Sequence, residues 1–291
     1  MLTQKAIRRK IKVVRNIQKI TRAMKMVATA KLKRAQERVV QSRPYAIRML
    51  ELVASLATLV ERATHVYLTP RPIKTRGLVV ITSEKGLCGG YNGNLIRLAV
   101  STLESWAGTR YELFTLGRKG TDFFRRRDYP VVKALPFPGV NARAAELTGI
   151  ADAISSWYVS GAVDEVFFVY AVFKNVVAQT PTVVRLLPID PASLRSQSTS
   201  KRAVDHEVEP DAETVLSELL PRYFRYQVHQ YLLEAMASEN GARTTAMTAA
   251  TDNADELLES LTLSYNKARQ WAITTELLDI VGGAEALKNV H

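Results

Sequence analysis

From Arg222 to Leu287 the chain runs 66 residues without a proline. A helix over this stretch would be about 100 Å long at 1.5 Å per residue, several times the usual globular helix. Steps of three and four lead through Val228, Leu232, Ala235, Glu239, Ala242, Ala246, Ala249, Asn253, Leu257, Leu261, Ser264, Ala268, Trp271, Thr275 and Leu278. Most of these are apolar and many are small. The spacing predicts one seam that must face a partner, with alanines in its middle that let the partner's backbone come close. A helix this long cannot fold onto a core of its own and needs another long helix beside it.

The start of the chain supplies one. From Ile7 the same stepping passes Ile11, Val14, Ile17, Thr21, Met24, Ala28, Leu32, Ala35, Val39, Ser42, Ala46, Met49, Val53, Leu56 and Val60. The expected fold is therefore α/β: a long antiparallel coiled coil of N- and C-terminal helices with an inserted α/β domain of Rossmann-like kind. The expected boundaries are 1–68 for the first helix, 69–211 for the inserted domain and 212–291 for the last helix. The alternative is two separate amphipathic helices docked on an ordinary globular core. Seams this long without breakers are uncommon, which favours the coiled coil.

Charge is placed unevenly. Residues 1–43 carry fourteen Lys or Arg against the single acid Glu37, a net of +13. The whole chain is +12, so the remaining 248 residues sum to −1. The basicity belongs to the first helix alone, and fits a solvated face, nucleic acid, an anionic membrane surface or an acidic protein. No aromatic residue precedes Tyr45, so that helix offers no stacking platform for single strands. No run of about 18 apolar residues exists to span a membrane. The basic start is not followed by an apolar stretch and cleavage site, which argues against a secretory signal, and its seam continues too far for a transit peptide. A single cysteine, Cys88, excludes an internal disulfide and fits a reducing compartment.

Between the helices, Pro44 should kink or break the first one. Thr69-Pro70-Arg71-Pro72 ends it. Gly77–Thr82, Tyr111–Leu116, Val163–Phe173 and Thr180–Leu187 read as strands, the last two as a possible hairpin pair. Asn94–Trp106, Arg118–Arg127 and Ala142–Tyr158 read as helices. Tyr129-Pro130-Val-Val precedes a loop at Pro136–Gly139. The alternation implies a sheet that is parallel at least in part. Asp190–Asp211 is polar and reads as a mobile loop. Ala212–Leu220 reads as a helical turn or two, with Pro221 where the long helix starts or bends.

Catalytic patterns are not found. The glycine turn Gly86-Leu-Cys-Gly-Gly-Tyr-Asn-Gly93 matches neither G-x-G-x-x-G nor G-x-x-x-x-G-K-[ST]. His65, His206, His229 and His291 have no zinc spacing. Asp164 and Glu165 are adjacent, so on a strand they face opposite sides. No nucleophile, base and orienter can be placed together, and no cofactor or metal is expected.

Tyr265-Asn-Lys-Ala-Arg-Gln270, Ile273-Thr-Thr-Glu276, Asp279 and Gly283-Ala284 resemble the C-terminal signature of the γ subunits of F-type ATP synthases, bacterial type. Gln18-Lys-Ile-Thr-Arg-Ala-Met-Lys-Met-Val-Ala28 resembles the family's N-terminal hallmark. Ser42-Arg-Pro-Tyr45, Lys85-Gly-Leu-Cys-Gly-Gly90, Gly117-Arg-Lys-Gly120 and Leu186-Leu-Pro188 are similar to further family words. The resemblance covers essentially the full length. It implies a rotor shaft with no chemistry of its own, monomeric within its complex. Its partners would be a hexamer of three α and three β subunits, the ε subunit and the c-ring, with the membrane reached only indirectly. Proton-driven turning of the c-ring would force each β through its binding states, and ATP hydrolysis would run the shaft backwards. The implied location is the cytoplasmic face of the bacterial plasma membrane.

By the same resemblance Arg269 and Gln270 would meet the catch loop of β. Met24, Lys25 and the Glu84–Cys88 turn, Lys85 and Cys88 included, would lie near its acidic lever. Val281 to His291, with Leu287, would fill an apolar bearing, and His206, Glu209 and Asp211 would lie near the foot facing ε and the c-ring. Trp271 and Gly241 stand where the family usually has alanine, and the chloroplast-type insertion with its cysteine pair is missing. The rival class is a basic coiled-coil nucleic-acid-binding or structural protein, which predicts DNA affinity with a steep salt slope.

Overall fold

The computed structural model describes residues 4–59, 65–190, 194, 209 and 211–288. Helix α1, Gln4–Leu59, opens the chain and helix α5, Ala212–Lys288, closes it. Between them come β1 (Thr75–Ile81), α2 (Tyr91–Ser105), β2 (Arg110–Leu116), α3 (Arg118–Arg125), β3 (Val131–Leu135), α4 (Ala144–Val159), β4 (Glu165–Phe173) and β5 (Gln179–Leu187). The chain divides into two compact units, residues 28–245 in one and Met1–Val27 with Ala246–His291 in the other.

The larger unit is built on one sheet of order β3-β2-β1-β4-β5. β1 runs parallel to β2 and β4, β2 parallel to β3, and β4 and β5 form the antiparallel hairpin. Both faces are covered, so the central strands read as continuous apolar runs rather than alternating ones. Period two sends Val79, Ile81, Phe114, Leu116, Phe168 and Tyr170 into a core shared with α4 and the terminal helices. It sends Leu78, Val80, Leu113, Val169 and Ala171 into the core under α2 and α3. β3 was not expected from the sequence. It is a half-exposed edge strand directly after Pro130, and has no clean alternation to give it away.

Gly117-Arg-Lys-Gly120 is a place where backbone meets backbone. Gly117 has φ of 94°, and a Cβ there would lie 2.1 Å from the Thr82 carbonyl oxygen. The Gly120 N–H donates to the Thr82 hydroxyl at 2.8 Å. Glycine at both positions lets the end of β1 sit against the start of α3.

In the larger unit α1 and α5 pack side by side in opposite senses. Ser42 lies beside Tyr226 and Gln230, while Lys31 lies near Glu239. Val228, Leu232 and Ala235 are buried as the expected seam requires. α1 passes through Pro44 without a break. Proline removes a backbone donor there; the neighbouring turn gains one from α5, whose Tyr226 hydroxyl donates to the Ser42 carbonyl at 3.2 Å. Pro221 does not mark a helix start either. α5 begins at Ala212, where Asp211 accepts the Thr214 N–H at 2.8 Å and the Thr214 hydroxyl at 2.7 Å.

The smaller unit is the antiparallel pair of α1 and α5 alone. The Gln4 amide donates to the Tyr265 hydroxyl, Gln18 and Arg22 meet Asp255, and the hydroxyls of Thr21 and Thr251 lie 2.8 Å apart. On α1 the seam is the expected one, with Ile7 and Thr21 buried and Ile11, Val14 and Met24 half-buried; Ile17 turns outward. On α5 the expected series is met only in part: its Leu261 and Ala268 face inward, but most of its other members beyond Ala246 do not. Met247, Thr251, Ala254, Leu258, Leu261, Tyr265 and Ala268 face inward, whereas Ala249, Asn253, Leu257, Ser264, Trp271, Thr275 and Leu278 are exposed. The buried series includes a threonine, so stepping along alanines and leucines follows the wrong line. Its hydroxyl is satisfied within the pair, by the Met247 carbonyl at 2.7 Å and by Thr21.

Candidate partner-contact surfaces

α1 begins beside Tyr265, so the residues of α5 beyond about 268 have no described helix against them. Arg269 and Gln270 are exposed on this free stretch. Trp271 is 68% exposed, and Leu277, Leu278, Ile280 and Val281 are exposed as well. Apolar side chains left in water at this density mark a contact surface. Leu287 belongs to α5, and its side chain lies outside the described residues. Trp271, which stands where the family usually has alanine, is therefore on the outside of the helix and not in the pair.

Met24 and Lys25 belong to the smaller unit and are half-buried on α1. Lys85 and Cys88 belong to the larger unit, in the turn between β1 and α2. Lys85 is exposed, but Cys88 is only 1% exposed. Its sulfur takes the Asn92 amide at 3.2 Å and lies 3.8 Å from the Ser83 hydroxyl. Burial pushes the thiol's pKa up, against smaller opposing pulls from Ser83 and Arg243. A buried, protonated thiol is a poor nucleophile. Cys88 is therefore an anchor of the turn, and the side chain that the turn presents is Leu87, 61% exposed at φ of 63°.

Of the residues assigned to the foot, His206 lies outside the described residues and Glu209 is exposed. Asp211 is the cap of α5. The N–H of Thr214, then its hydroxyl, hold the carboxyl below its usual pKa. Of the polar segment 190–211, read as a loop, Asp190 and Leu194 are described as well, with Leu194 buried, and the rest lies outside the described residues.

Sequence reasoning missed a polar cluster at the carboxyl end of the sheet. Arg243 donates to the Lys85 carbonyl at 3.1 Å, to the Gly86 carbonyl at 3.3 Å and to the Glu239 carboxylate at 2.8 Å. Burial raises the pKa of Glu239, and Arg243 pulls it back down. The buried Ser238 hydroxyl donates to the Ala171 carbonyl at 2.8 Å, and the Tyr91 hydroxyl to the Ala235 carbonyl at 3.3 Å. Gly241 belongs here too: a Cβ on it would lie 3.2 Å from the Phe173 ring and 3.4 Å from the Gln179 amide. Gly241, where the family usually has alanine, is a place of close approach. In open α/β sheets ligands bind outside the carboxyl ends of strands where the order reverses, here between β1 and β4. α5 occupies that place. Among the described residues no group of His, Cys, Asp and Glu could hold a metal ion, and no helix is long and apolar enough to cross a membrane.

The ATP synthase family model matches residues 3–287. The chain is 46% identical over 289 residues to the ATP synthase gamma chain of Desulfitobacterium hafniense, covering 99% of this chain and all of that one. It is 45% identical over 288 residues to that of Moorella thermoacetica, with 99% and 100% covered. Among solved structures, the central stalk and c-ring of the Tetrahymena thermophila mitochondrial ATP synthase gives a TM-score of 0.59 at 27% identity, covering 79% of this chain and 99% of that one. The Euglena gracilis mitochondrial ATP synthase gives 0.68 at 19% identity, covering 98% and 94%, which shows the shared fold. The chain belongs to the ATP synthase γ-chain family.

Proposed function

We propose that this chain works as the central stalk of an ATP synthase. It is the rotor shaft that couples proton-driven rotation to ATP synthesis or hydrolysis in a ring of α and β subunits. It carries no active site of its own; catalysis sits in the β subunits. It acts by changing the relative stability of conformations in its neighbours. The observation that carries this reading is the free stretch of α5, where Arg269, Gln270, Trp271, Leu278 and Val281 are presented with no described helix beside them. A helix end that is largely apolar and has no described helix beside it is built to be enclosed by another chain.

At the finer level, Arg269 and Gln270 meet a loop of β, and Val281 and Leu287 turn in an apolar collar. Met24, Lys25 and Lys85 lie against acidic segments of β, to which the basic α1 is complementary. Cys88 serves that contact only by shaping the turn that carries Lys85 and Leu87. Glu209 and Asp211, with His206, lie at the end that meets ε and the c-ring. The complex is peripheral to the membrane, on the cytoplasmic face of a bacterial cell.

Expression together with α and β tests this. The chain should co-purify with both in a complex that hydrolyses ATP, and a bead on the exposed Ser105→Cys should rotate when ATP is added. A chain that separates cleanly from α and β would sink the proposal.

A further inference from the structure

Residues Ala235–Thr245 of α5 are held from two sides. One jaw is the β4–β5 hairpin. It accepts the Ser238 hydroxyl at Ala171 and the Thr245 hydroxyl at Val176, at 2.8 and 2.9 Å, and presses Phe173 and Gln179 against Gly241. The other jaw is the turn after β1 with the start of α2. It supplies the Tyr91 hydroxyl to the Ala235 carbonyl, and accepts Arg243, itself paired with Glu239, at the carbonyls of Lys85 and Gly86. At about 100° per residue, positions 238, 241 and 245 share one flank of the helix and positions 235, 239 and 243 another, about 130° round the axis.

This arrangement differs from ordinary helix-on-sheet packing. Apolar contact is non-directional and lets a helix roll with small loss. Hydrogen bonds are directional, and buried ones leave costly unsatisfied groups when they are broken. Grip on one flank would still let the helix pivot about that flank; grip on two flanks stops the pivot. We propose that this segment is a rotational lock, the place where torque applied to the α/β domain enters α5. The inference rests on the stalk reading for its purpose, but the lock itself is a property of the folded chain.

Three isosteric changes open it while leaving Arg243 and every proposed partner contact in place. Ser238→Ala with Thr245→Val opens the hairpin jaw, Tyr91→Phe weakens the other, and the three together do both. In the full-length chain, hydrogen exchange over residues 235–245 and the hairpin should quicken about five-fold for each of the buried hydrogen bonds of Ser238 and Tyr91 lost, and less for the exposed one of Thr245. In the assembled complex, a bead on Ser105→Cys should show wider angular fluctuations during pauses in the triple variant than in the parent, while rotation continues. Thr245→Ser, which keeps the hydroxyl, should behave as the parent in both measurements.

Unchanged exchange in the triple variant would show that no grip exists there and overturn the proposal. Faster exchange with unchanged fluctuations would overturn it as well, because the grip would then carry no torque. If the triple variant fails to assemble, the single change Tyr91→Phe and the hairpin pair are read separately by the same two measurements. A parent complex that does not rotate at all counts against the stalk reading instead, and the exchange result still decides the lock.

Discussion

A methyl group at Gly117 would overlap the Thr82 carbonyl oxygen in a backbone conformation that side chains avoid. Gly117→Ala should therefore cost at least about 1–3 kcal/mol, read as a lowered thermal midpoint of the full-length chain; an unchanged midpoint would show that the two backbones separate freely. Asp211 makes a different statement at the same scale. Its carboxyl is held at a lowered pKa by the Thr214 N–H and hydroxyl, so its contribution is present above the unfolded value of about 3.9. That contribution is lost as pH falls through the lower, folded value. Asp211→Asn, a competent cap without charge, should remove this part of the acid sensitivity of the first turn of α5. Hydrogen exchange at Thr214 and Val215 as a function of pH checks it, and the same acid dependence in the asparagine variant would refute the cap assignment. Residues like these were half-legible in the sequence. Gly117 and Gly120 stood out as a family word but carried no visible reason, because Thr82 lies far from them along the chain. Arg243 and Ser238 did not stand out: apart from Glu239, one turn before Arg243, their partners are carbonyl groups, which any residue possesses.

Elements were more legible than contacts. The seam of α1 was readable because its buried positions are nearly all apolar, and the parallel strands because burial on both faces makes them continuous apolar runs. The seam of α5 was misplaced at Ala249, Asn253, Leu257 and Ser264, though not at Leu261 and Ala268, because Thr251 is buried against Thr21, and a hydroxyl that pays for its burial with a local carbonyl is invisible to a hydrophobic period. Pro44 marks no break and Pro221 no start for a related reason: packing from α5 and an early cap keep both helices running. This tolerance does not extend to every position. Ala246 is half-buried where α5 begins its pairing in the smaller unit. Ala246→Pro should cost about 3 kcal/mol or more of helix stability and abolish coupled rotation in the assembled complex. A proline variant that still turns with full coupling would show that the helix pair does not act as one mechanical piece.

For the whole molecule the question is whether the shaft pushes by shape or by charge. Fourteen basic residues crowd the first 43 positions, yet exposed ion pairs are each worth about 0–1 kcal/mol and are screened by salt. Lys25, Lys31 and Lys33 changed together to glutamine should slow rotation modestly and leave it coupled. If that variant stops while Ala246→Pro still turns, charge carries the torque and the steric account fails. The pairing of Gln4 with Tyr265 has a consequence of another kind. These two residues are 261 positions apart, so α1, made earlier during synthesis, waits for α5. At about 5–20 residues per second the apolar seam of α1 stands uncovered for roughly 10–50 s on the ribosome. The strands between are completed in that interval, and the crevice that α5 will close stays open. A chain released before about residue 247, where the inward series of α5 in the smaller unit begins, leaves the ribosome with the first turns of α1 lacking their mate, and so becomes a substrate for chaperones and proteases rather than a shorter shaft.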